Sequence, residues 1–284
     1  MRVKHVVVCA PQDCEKGHRM QVADVHVHIY PNKIAKKATQ SIGEFYNIPM
    51  TEEDGSVARL QNRIAQTNIT RCVVHSVAVR PGTVQSINDF IAATCTEHPE
   101  FVGFMTLHQN TEDVAAEIER ACGLGLKGIK LHPDTQQVNM DDERLMRVYE
   151  IAEQKGLPVI IHCGDYRYDY SHPKRLQRIL HEFPHLVVNA AHFGGWSIQD
   201  YALEFLEHEK CYLDMSSSMR YLGPRRTREL VEAYGFDRIL FGSDFPMWSP
   251  SSELDTFRAL GFANDAYERM CWFNTERFLG VDLD

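Results

Sequence analysis

The stretch "VADVHVHIYP", residues 22–31, combines the pattern of a buried β-strand with two histidines near its end. Its short run of apolar and β-branched residues is typical of a strand that is covered on both faces. Side chains alternate between the two faces of a strand, so His26 and His28 share one face, with Asp24 behind them. Buried imidazoles are costly without partners, so this strand end requires an explanation.

Strand-like and helix-like segments alternate along the rest of the chain. Seven further apolar runs predict strands, within 71–79, 101–107, 126–133, 157–164, 186–195, 211–217 and 238–246. Regular alternation of this kind predicts a parallel sheet with right-handed crossovers. Eight units predict an α/β fold of the closed (β/α)8 TIM-barrel type. An open doubly wound sheet is the alternative, because periodicity does not reveal closure.

Two segments lie outside this alternation. Residues 1–19 precede the first strand and are interpreted as an extension, so that residues 20–284 form a single barrel domain. Cys9, Cys14 and His18 lie in that extension, but their spacing matches no metal site that we can defend. Residues 31–55 form a polar stretch that we interpret as a long connector, and such connectors are often lids or binding loops.

Composition excludes several classes of partner. The formal net charge of −9, without a run of Lys or Arg, argues against nucleic acid and against an anionic membrane surface. The chain has no apolar segment near the length that crosses a bilayer. Its eight cysteines are scattered, which favours free thiols in a reducing cytoplasm. We therefore expect a cytoplasmic protein that acts on a small molecule, with a homodimer as the default assembly.

Ionisable residues end five of the predicted strands. In a parallel barrel the active site lies at the carboxyl ends of the strands, so these side chains are expected to converge. They are His26 and His28, Lys130 and His132, His162, His192, and Asp244. Three imidazoles and a carboxylate, from His26, His28, His162 and Asp244, are a ligand set for one divalent ion. Zinc suits it first, with manganese, iron or cobalt as alternatives.

The motifs "DVHVH", "KGIKLHP", "IIHCG", "AHFGG" and "FGSDFP" together resemble those of the amidohydrolase superfamily. They are most similar to the branch that includes aminocarboxymuconate semialdehyde decarboxylase. The resemblance implies that His26, His28, His162 and Asp244 are metal ligands. It also implies that His192 orients the metal-bound water, or binds a second metal as in binuclear relatives.

Three further residues are candidates for binding substrate. Lys130 lies near the position of a carbamylated, metal-bridging lysine in some superfamily members; contact with a substrate carboxylate and a structural role are its alternatives. His132 is expected to line the pocket or to donate a hydrogen bond to the substrate. Arg80 follows the second strand and can bind an anionic group.

Two reactions fit these residues. The first is hydrolysis of a small amide, lactone or similar compound by a metal-activated water, with Asp244 and His192 as the catalytic residues. The alternative is metal-dependent, non-oxidative decarboxylation of a small unsaturated or aromatic carboxylic acid. A barrel that only binds a ligand is a third class, and the complete ligand set argues against it.

Overall fold

The computed structural model describes residues 20–283, so the predicted extension 1–19, with Cys9, Cys14 and His18, lies outside the described residues. Eight parallel strands form one sheet in sequential order. They are β1 (Val22–His28), β2 (Ile69–His75), β3 (Phe101–Thr106), β4 (Gly128–Leu131), β5 (Val159–Ile161), β6 (Val188–Ala190), β7 (Tyr212–Asp214) and β8 (Ile239–Leu240).

The first and last strands meet, which closes the barrel. Val25 N donates to Phe241 O at 3.0 Å, and His28 N donates to Phe245 O at 2.8 Å. Between them Asp244 N donates to His26 O at 2.8 Å. The predicted (β/α)8 barrel is therefore confirmed, and the open sheet is wrong.

Helices cover the outside of the barrel. They are α1 (Asn32–Tyr46), α2 (Val57–Ile64), α3 (Val84–Glu97), α4 (Val114–Gly123), α5 (Pro133–Gln136), α6 (Glu143–Lys155), α7 (Pro173–Glu182), α8 (Gln199–Leu206), α9 (Met219–Tyr234), α10 (Pro250–Ala259), α11 (Asn264–Glu268) and α12 (Asn274–Leu279). A π-helical turn, Arg269–Phe273, joins α11 to α12. None of the helices described for residues 20–283 is long and apolar enough to cross a membrane.

The first helix corrects one interpretation from the sequence. The polar connector predicted over 31–55 contains α1, which buries only Ala35 and Thr39 fully. This helix begins after Pro31 without a side-chain cap and without an acidic residue in its first turn, so the usual sequence signals of a helix start are missing. The last residue of α1, Tyr46, reaches His132 at the barrel mouth, and the expected binding role of this segment stays a prediction.

Apolar side chains form two buried groups around the strands. One lies between the sheet and the surrounding helices and includes Ile129, Leu131 and Ile161. The other includes Val25, Phe104, Ile160 and Leu240 of the strands together with Trp272, Phe278, Leu279 and Leu283 of the C-terminal segment. The C-terminal segment thus packs against barrel strands at a site distinct from the polar mouth.

Candidate active site

Asp244 and the two histidines of β1 form one corner of the barrel mouth. Asp244 Oδ1 lies 3.5 Å from His26 Nε2 and 3.6 Å from His28 Nε2. The backbone hydrogen bond from Asp244 to His26 holds the segment after β8 against β1. Barrel closure itself therefore brings residues from the two ends of the chain within reach of one ion.

Two imidazoles have one ring nitrogen held by an oxygen. His26 Nδ1 lies 3.0 Å from Asp214 Oδ2, and His192 Nδ1 lies 3.0 Å from the carbonyl oxygen of Ser216. For these two rings the oxygen acceptor assigns the proton to Nδ1 and leaves a lone pair on Nε2, as in metal-binding histidines. His162 Nε2 lies 3.2 Å from Asp134 Oδ2 but has no hydrogen-bond partner among residues 20–283.

The inward nitrogens fit a divalent cation. His162 Nδ1 and His192 Nε2 face each other at 3.1 Å. Two nitrogens bound to one tetrahedral metal at about 2.0–2.1 Å would lie about 3.3 Å apart. Buried ring nitrogens of His28 and His75 have no hydrogen-bond partner within the described part of the chain. Buried polar atoms without partners are rare, and an ion accounts for them.

Protonation in the mouth also favours metal binding. Burial lowers the pKa values of His26, His28 and His162 well below the usual 6.5, so these imidazoles are neutral at physiological pH. Neutral imidazole is the form that ligates a metal. Asp244 differs, because burial raises the pKa of its carboxyl group and the hydrogen bond from Ser217 opposes that shift.

Lys130 is fully buried at the centre of the mouth. Its Nζ lies 2.8 Å from His26 Nε2, and burial lowers its pKa to about 8. Within residues 20–283 no carboxylate lies within ion-pair distance of this amine. Lys130 therefore offers a cation, or at higher pH an amine, directly beside a nitrogen that a metal would use.

Backbone strain is concentrated at the same mouth. His192, Ser217 and Asp244 adopt positive φ angles of 62°, 53° and 60°, which non-glycine residues rarely do. Ser217 Oγ donates to Asp244 Oδ2, and Trp248 Nε1 donates to Ser217 Oγ at 2.8 Å. Such strain persists only where the surrounding structure enforces it, and it is typical of functional sites.

A second wall of the mouth consists of His132, Tyr46 at the end of α1, and Arg167. The His132 ring stacks on that of His162 with centroids 3.9 Å apart, and Tyr46 Oη lies 2.7 Å from His132 Nε2. Arg167 donates to the carbonyl oxygen of Phe45 at 2.6 Å and covers the rings of Phe45 and Tyr46. The loop after β5 and the end of α1 thus pack together beside the histidines.

The predicted metal ligands are close together but divided between compact groups. Three groups of potential ligands are described: His26, His28 and His75; His26, His192 and Asp214; and His132, Asp134 and His162. The predicted ligand His162 belongs to a different compact group from His26 and His28. The assignment of His26, His28, His162 and Asp244 as one ligand set therefore stays a prediction.

Arg80 behaves differently from the other candidates. It is exposed, at the start of the short 3-10 turn Pro81–Thr83 that follows β2. Its backbone carbonyl oxygen accepts hydrogen bonds from Thr83 N at 3.1 Å and from Thr83 Oγ1 at 2.8 Å. Its role in binding substrate stays a prediction without a contact to the histidines.

Sequence reasoning missed four residues that contact the candidate ligands. Three of them, His75, Asp214 and Asp134, lie at or just after the ends of β2, β7 and β4, and Tyr46 ends α1. The same signal that selected His162, a polar residue ending an apolar run, was available for His75 and Asp214. Nothing local pointed to Tyr46, because its helix was not recognised.

Fold and site together define a (β/α)8 barrel enzyme with a buried centre of histidines and carboxylates at the carboxyl ends of its strands. The chain belongs to the amidohydrolase family, whose model, described as "Amidohydrolase", matches residues 23–281. The resemblance that the motifs indicated is therefore confirmed, and so is the prediction that the chain is an enzyme.

One curated relative is 2-amino-3-carboxymuconate-6-semialdehyde decarboxylase of Dictyostelium discoideum. It is 37% identical over 81 residues, which cover 28% of this chain and 23% of the relative. The similarity to that decarboxylase therefore spans about a quarter of its length. Its activity bears on this chain only as support for a proposal.

Solved structures share the fold at low sequence identity. An uncharacterised TIM-barrel protein from Bordetella bronchiseptica has a TM-score of 0.75 at 20% identity, over 92% of this chain and 98% of that one. A dihydroxybenzoic acid decarboxylase from Polaromonas, with bound manganese and the inhibitor 2-nitroresorcinol, has a TM-score of 0.70 at 16% identity, over 92% and 97%. A putative 2-pyrone-4,6-dicarboxylic acid hydrolase from Pseudomonas putida has a TM-score of 0.66 at 16% identity, over 94% and 100%.

Decarboxylases and a hydrolase both appear among these neighbours. The prediction that hydrolysis is favoured over decarboxylation therefore gains no support. Groups of His and Asp able to hold a metal are present, and the identity of the ion is not established by them.

Proposed function

We propose that this protein is a metal-dependent, non-oxidative decarboxylase of a small unsaturated or aromatic carboxylic acid. The observation that carries the proposal is a buried lysine beside ligand-type histidines, with Lys130 Nζ 2.8 Å from His26 Nε2. A fully buried cation without a carboxylate partner is costly, and an anionic substrate removes that cost. The decarboxylases among the relatives add support.

His26, His28, His162 and Asp244 are the residues that would hold the ion. Neutral imidazoles with inward lone pairs and one carboxylate suit zinc, cobalt, iron or manganese. When bound, a divalent ion neutralises negative charge on substrate oxygens and lowers the pKa of bound water to about 7. The carboxylate of Asp214 holds the ring of His26 in the required orientation, and Asp134 lies beside His162 Nε2 at 3.2 Å.

Lys130 and Asp244 have separate roles toward the substrate. Lys130 binds and orients the carboxylate of the substrate, because its ammonium group is the buried cation at the centre of the mouth. Loss of CO2 leaves an electron pair on carbon, and a proton must replace the carboxyl group. Asp244, whose Oδ1 lies within 3.6 Å of His26 and His28 at the mouth, can carry that proton at its Oδ atoms.

His192 positions the reacting groups. Its Nδ1 is held by the carbonyl oxygen of Ser216, so its Nε2 points toward His162 and the centre of the mouth. From there it orients a water molecule or a substrate oxygen. His132, held by Tyr46, forms the adjoining wall and contacts the substrate ring.

Hydrolysis of a lactone or amide is the second candidate. It is favoured by the hydrogen bond from Ser217 to Asp244, which stabilises the ionised carboxylate that would accept a proton from water. The putative pyrone dicarboxylic acid hydrolase among the structural neighbours shares the fold. Both candidates use the same ligand set, and they differ in whether CO2 leaves the substrate.

The test begins with metal analysis of the purified protein and proceeds to product analysis. Metal-loaded and chelator-treated samples are incubated with hydroxybenzoic and unsaturated dicarboxylic acids, and separately with lactones and amides. We expect metal-dependent release of CO2 from one or more acids. Metal-dependent hydrolysis without release of CO2 from any acid would replace the proposal with the second candidate. Full turnover by metal-free protein would contradict both.

A Lys130→Met variant separates the possible roles of that residue. As a carboxylate-binding residue, Lys130 can be lost without loss of metal, while kcat/KM falls by about 10²–10³-fold. A carbamylated bridging ligand would instead lose metal together with activity. Lys127→Met, on the loop before β4, is the matched control and should leave both unchanged.

A further inference from the structure

His75 is the histidine at the mouth that the proposed mechanism leaves without a task. It ends β2, its backbone pairs with His28 of β1, and its side chain is fully buried. Neither of its ring nitrogens has a hydrogen-bond partner among residues 20–283. A buried imidazole with both nitrogens unsatisfied costs about 1–3 kcal/mol per unmet group, and such a group calls for an explanation.

Its surroundings point to a cation. The His75 ring packs edge-on against His28 with centroids 4.4 Å apart, and its centroid lies 5.2 Å from that of His26. One nitrogen from each of these three rings lies within 4.8 Å of the others. Three neutral imidazole nitrogens at this spacing can surround one divalent ion.

A buried histidine that binds no ion would be arranged differently. Both ring nitrogens of His132 have protein partners, because Nε2 lies 2.7 Å from Tyr46 Oη and Nδ1 accepts from Thr135 N at 3.4 Å. His75 shares the burial of His132 and its place at the end of a strand, yet neither of its ring nitrogens has a partner among residues 20–283. An apolar side chain would fill the same space without the cost of two unsatisfied nitrogens.

We propose that His75 is a metal ligand, which with His26 and His28 forms a three-imidazole face on β1 and β2 for the catalytic divalent ion. The inference rests on the proposed metal-dependent function, because His26 and His28 are shared. It has a consequence for metal choice. An additional imidazole favours zinc, cobalt or nickel over manganese, which prefers oxygen ligands.

The experiment measures metal binding rather than turnover. Metal-free protein is titrated with Zn²⁺ and with Mn²⁺ against a chromophoric chelator, and Co²⁺-loaded protein is examined by visible absorption. The variants are His75→Leu and His75→Asn. His98→Asn is the matched control, because His98 precedes β3 and therefore lies at the opposite end of the barrel.

We expect His75→Leu to weaken Zn²⁺ binding by more than about 100-fold, since even partners of ligands contribute 10–100-fold. Mn²⁺ binding should weaken less, and the Co²⁺ absorption bands should shift. The metal-free variant should resist urea at least as well as the parent, because two unsatisfied nitrogens are removed. His75→Asn should show the same loss of Zn²⁺ affinity and serves as the test if the leucine variant does not fold.

The outcomes separate this inference from the proposed function. Parent-like Zn²⁺ affinity and Co²⁺ absorption in both His75 variants would overturn the role of His75 and leave the metal-dependent function intact. Failure of the parent itself to bind any divalent ion would overturn the proposed function, and this inference with it.

Discussion

The same barrel strands carry two kinds of buried surface. Against the C-terminal segment they contribute Val25, Phe104 and Leu240, which pack around Phe278. At the mouth their ends contribute histidines, a lysine and carboxylates that are buried just as completely. The apolar surface gains stability from every side chain it buries, whereas the mouth buries groups that lose their solvation.

The contrast separates stability from chemistry. In barrels of this type, residues at the carboxyl ends of the strands serve function, and those at the other end serve stability. The orphaned nitrogens, the strained backbone and the buried lysine all lie at the mouth. Substitutions at the mouth should therefore reduce metal binding and turnover, whereas substitutions on the apolar surface should reduce the free energy of unfolding.

The largest expected effect is that of His26→Ala at the mouth. Loss of a ligand that also contacts Lys130 and Asp244 should abolish metal binding and turnover. Elemental analysis and assay of the purified variant measure both. His181→Ala, which removes an exposed imidazole paired with Glu209, is the control. Retention of a full metal complement by His26→Ala would contradict the proposed site.

Phe278→Ala should show the opposite signature. This fully buried ring packs against Phe104 and Tyr212, so its removal should lower the free energy of unfolding by about 3–5 kcal/mol. Metal bound per folded chain should not change. Urea unfolding and elemental analysis provide the two measurements. Phe273→Ala, in the same segment but exposed, should change stability by less than about 0.5 kcal/mol.

Glu253, in the first turn of α10, tests the cost of buried charge. Burial raises its pKa from 4.5 to about 7, and neither carboxylate oxygen has a hydrogen-bond partner among the described residues. Between these pH values the folded chain holds a proton that the unfolded chain has lost. Its contribution to stability is therefore lost as pH rises from about 4.5 to 7.

Glu253→Gln should remove that dependence. The variant should match the parent near pH 4.5 and exceed its stability at pH 8 by on the order of 3 kcal/mol. Urea unfolding across this range measures the difference. Glu232→Gln, at an exposed position of α9, is the control. Equal pH profiles for parent and Glu253→Gln would show that Glu253 ionises normally in the folded protein.

The smallest effect is expected for Tyr46→Phe. Removal of the hydroxyl leaves His132 Nε2 without its partner at 2.7 Å and should cost about 1 kcal/mol of stability. Metal content should be unchanged, and KM should rise because the wall of the mouth loosens. Tyr201→Phe, at an exposed position, should change neither stability nor KM. If Tyr46→Phe lost metal, Tyr46 and His132 would contribute to metal binding, contrary to this prediction.

Much of the fold was predictable because it depends on local pattern. Short apolar runs alternating with helical periodicity indicated all eight strands, and the parity of β1 correctly placed His26 and His28 together. The exception is α1, which has neither a side-chain cap nor an acidic first turn to mark its start. The ionisable residues at the strand ends could also be recognised from the sequence, because each one follows or interrupts an apolar run.

The sequence by itself determined the eight alternating βα units and the candidate ligands, since both follow from periodicity and from motifs a few residues long. Only the tertiary structure decided which atoms meet: Asp214 with His26, Asp134 with His162, and Tyr46 with His132. It also left the ring nitrogens of His75 without a hydrogen-bond partner among residues 20–283. The first of these pairs is separated by 188 positions. Contacts of that range depend on barrel closure and on side-chain rotamers, and neither is encoded in a local pattern.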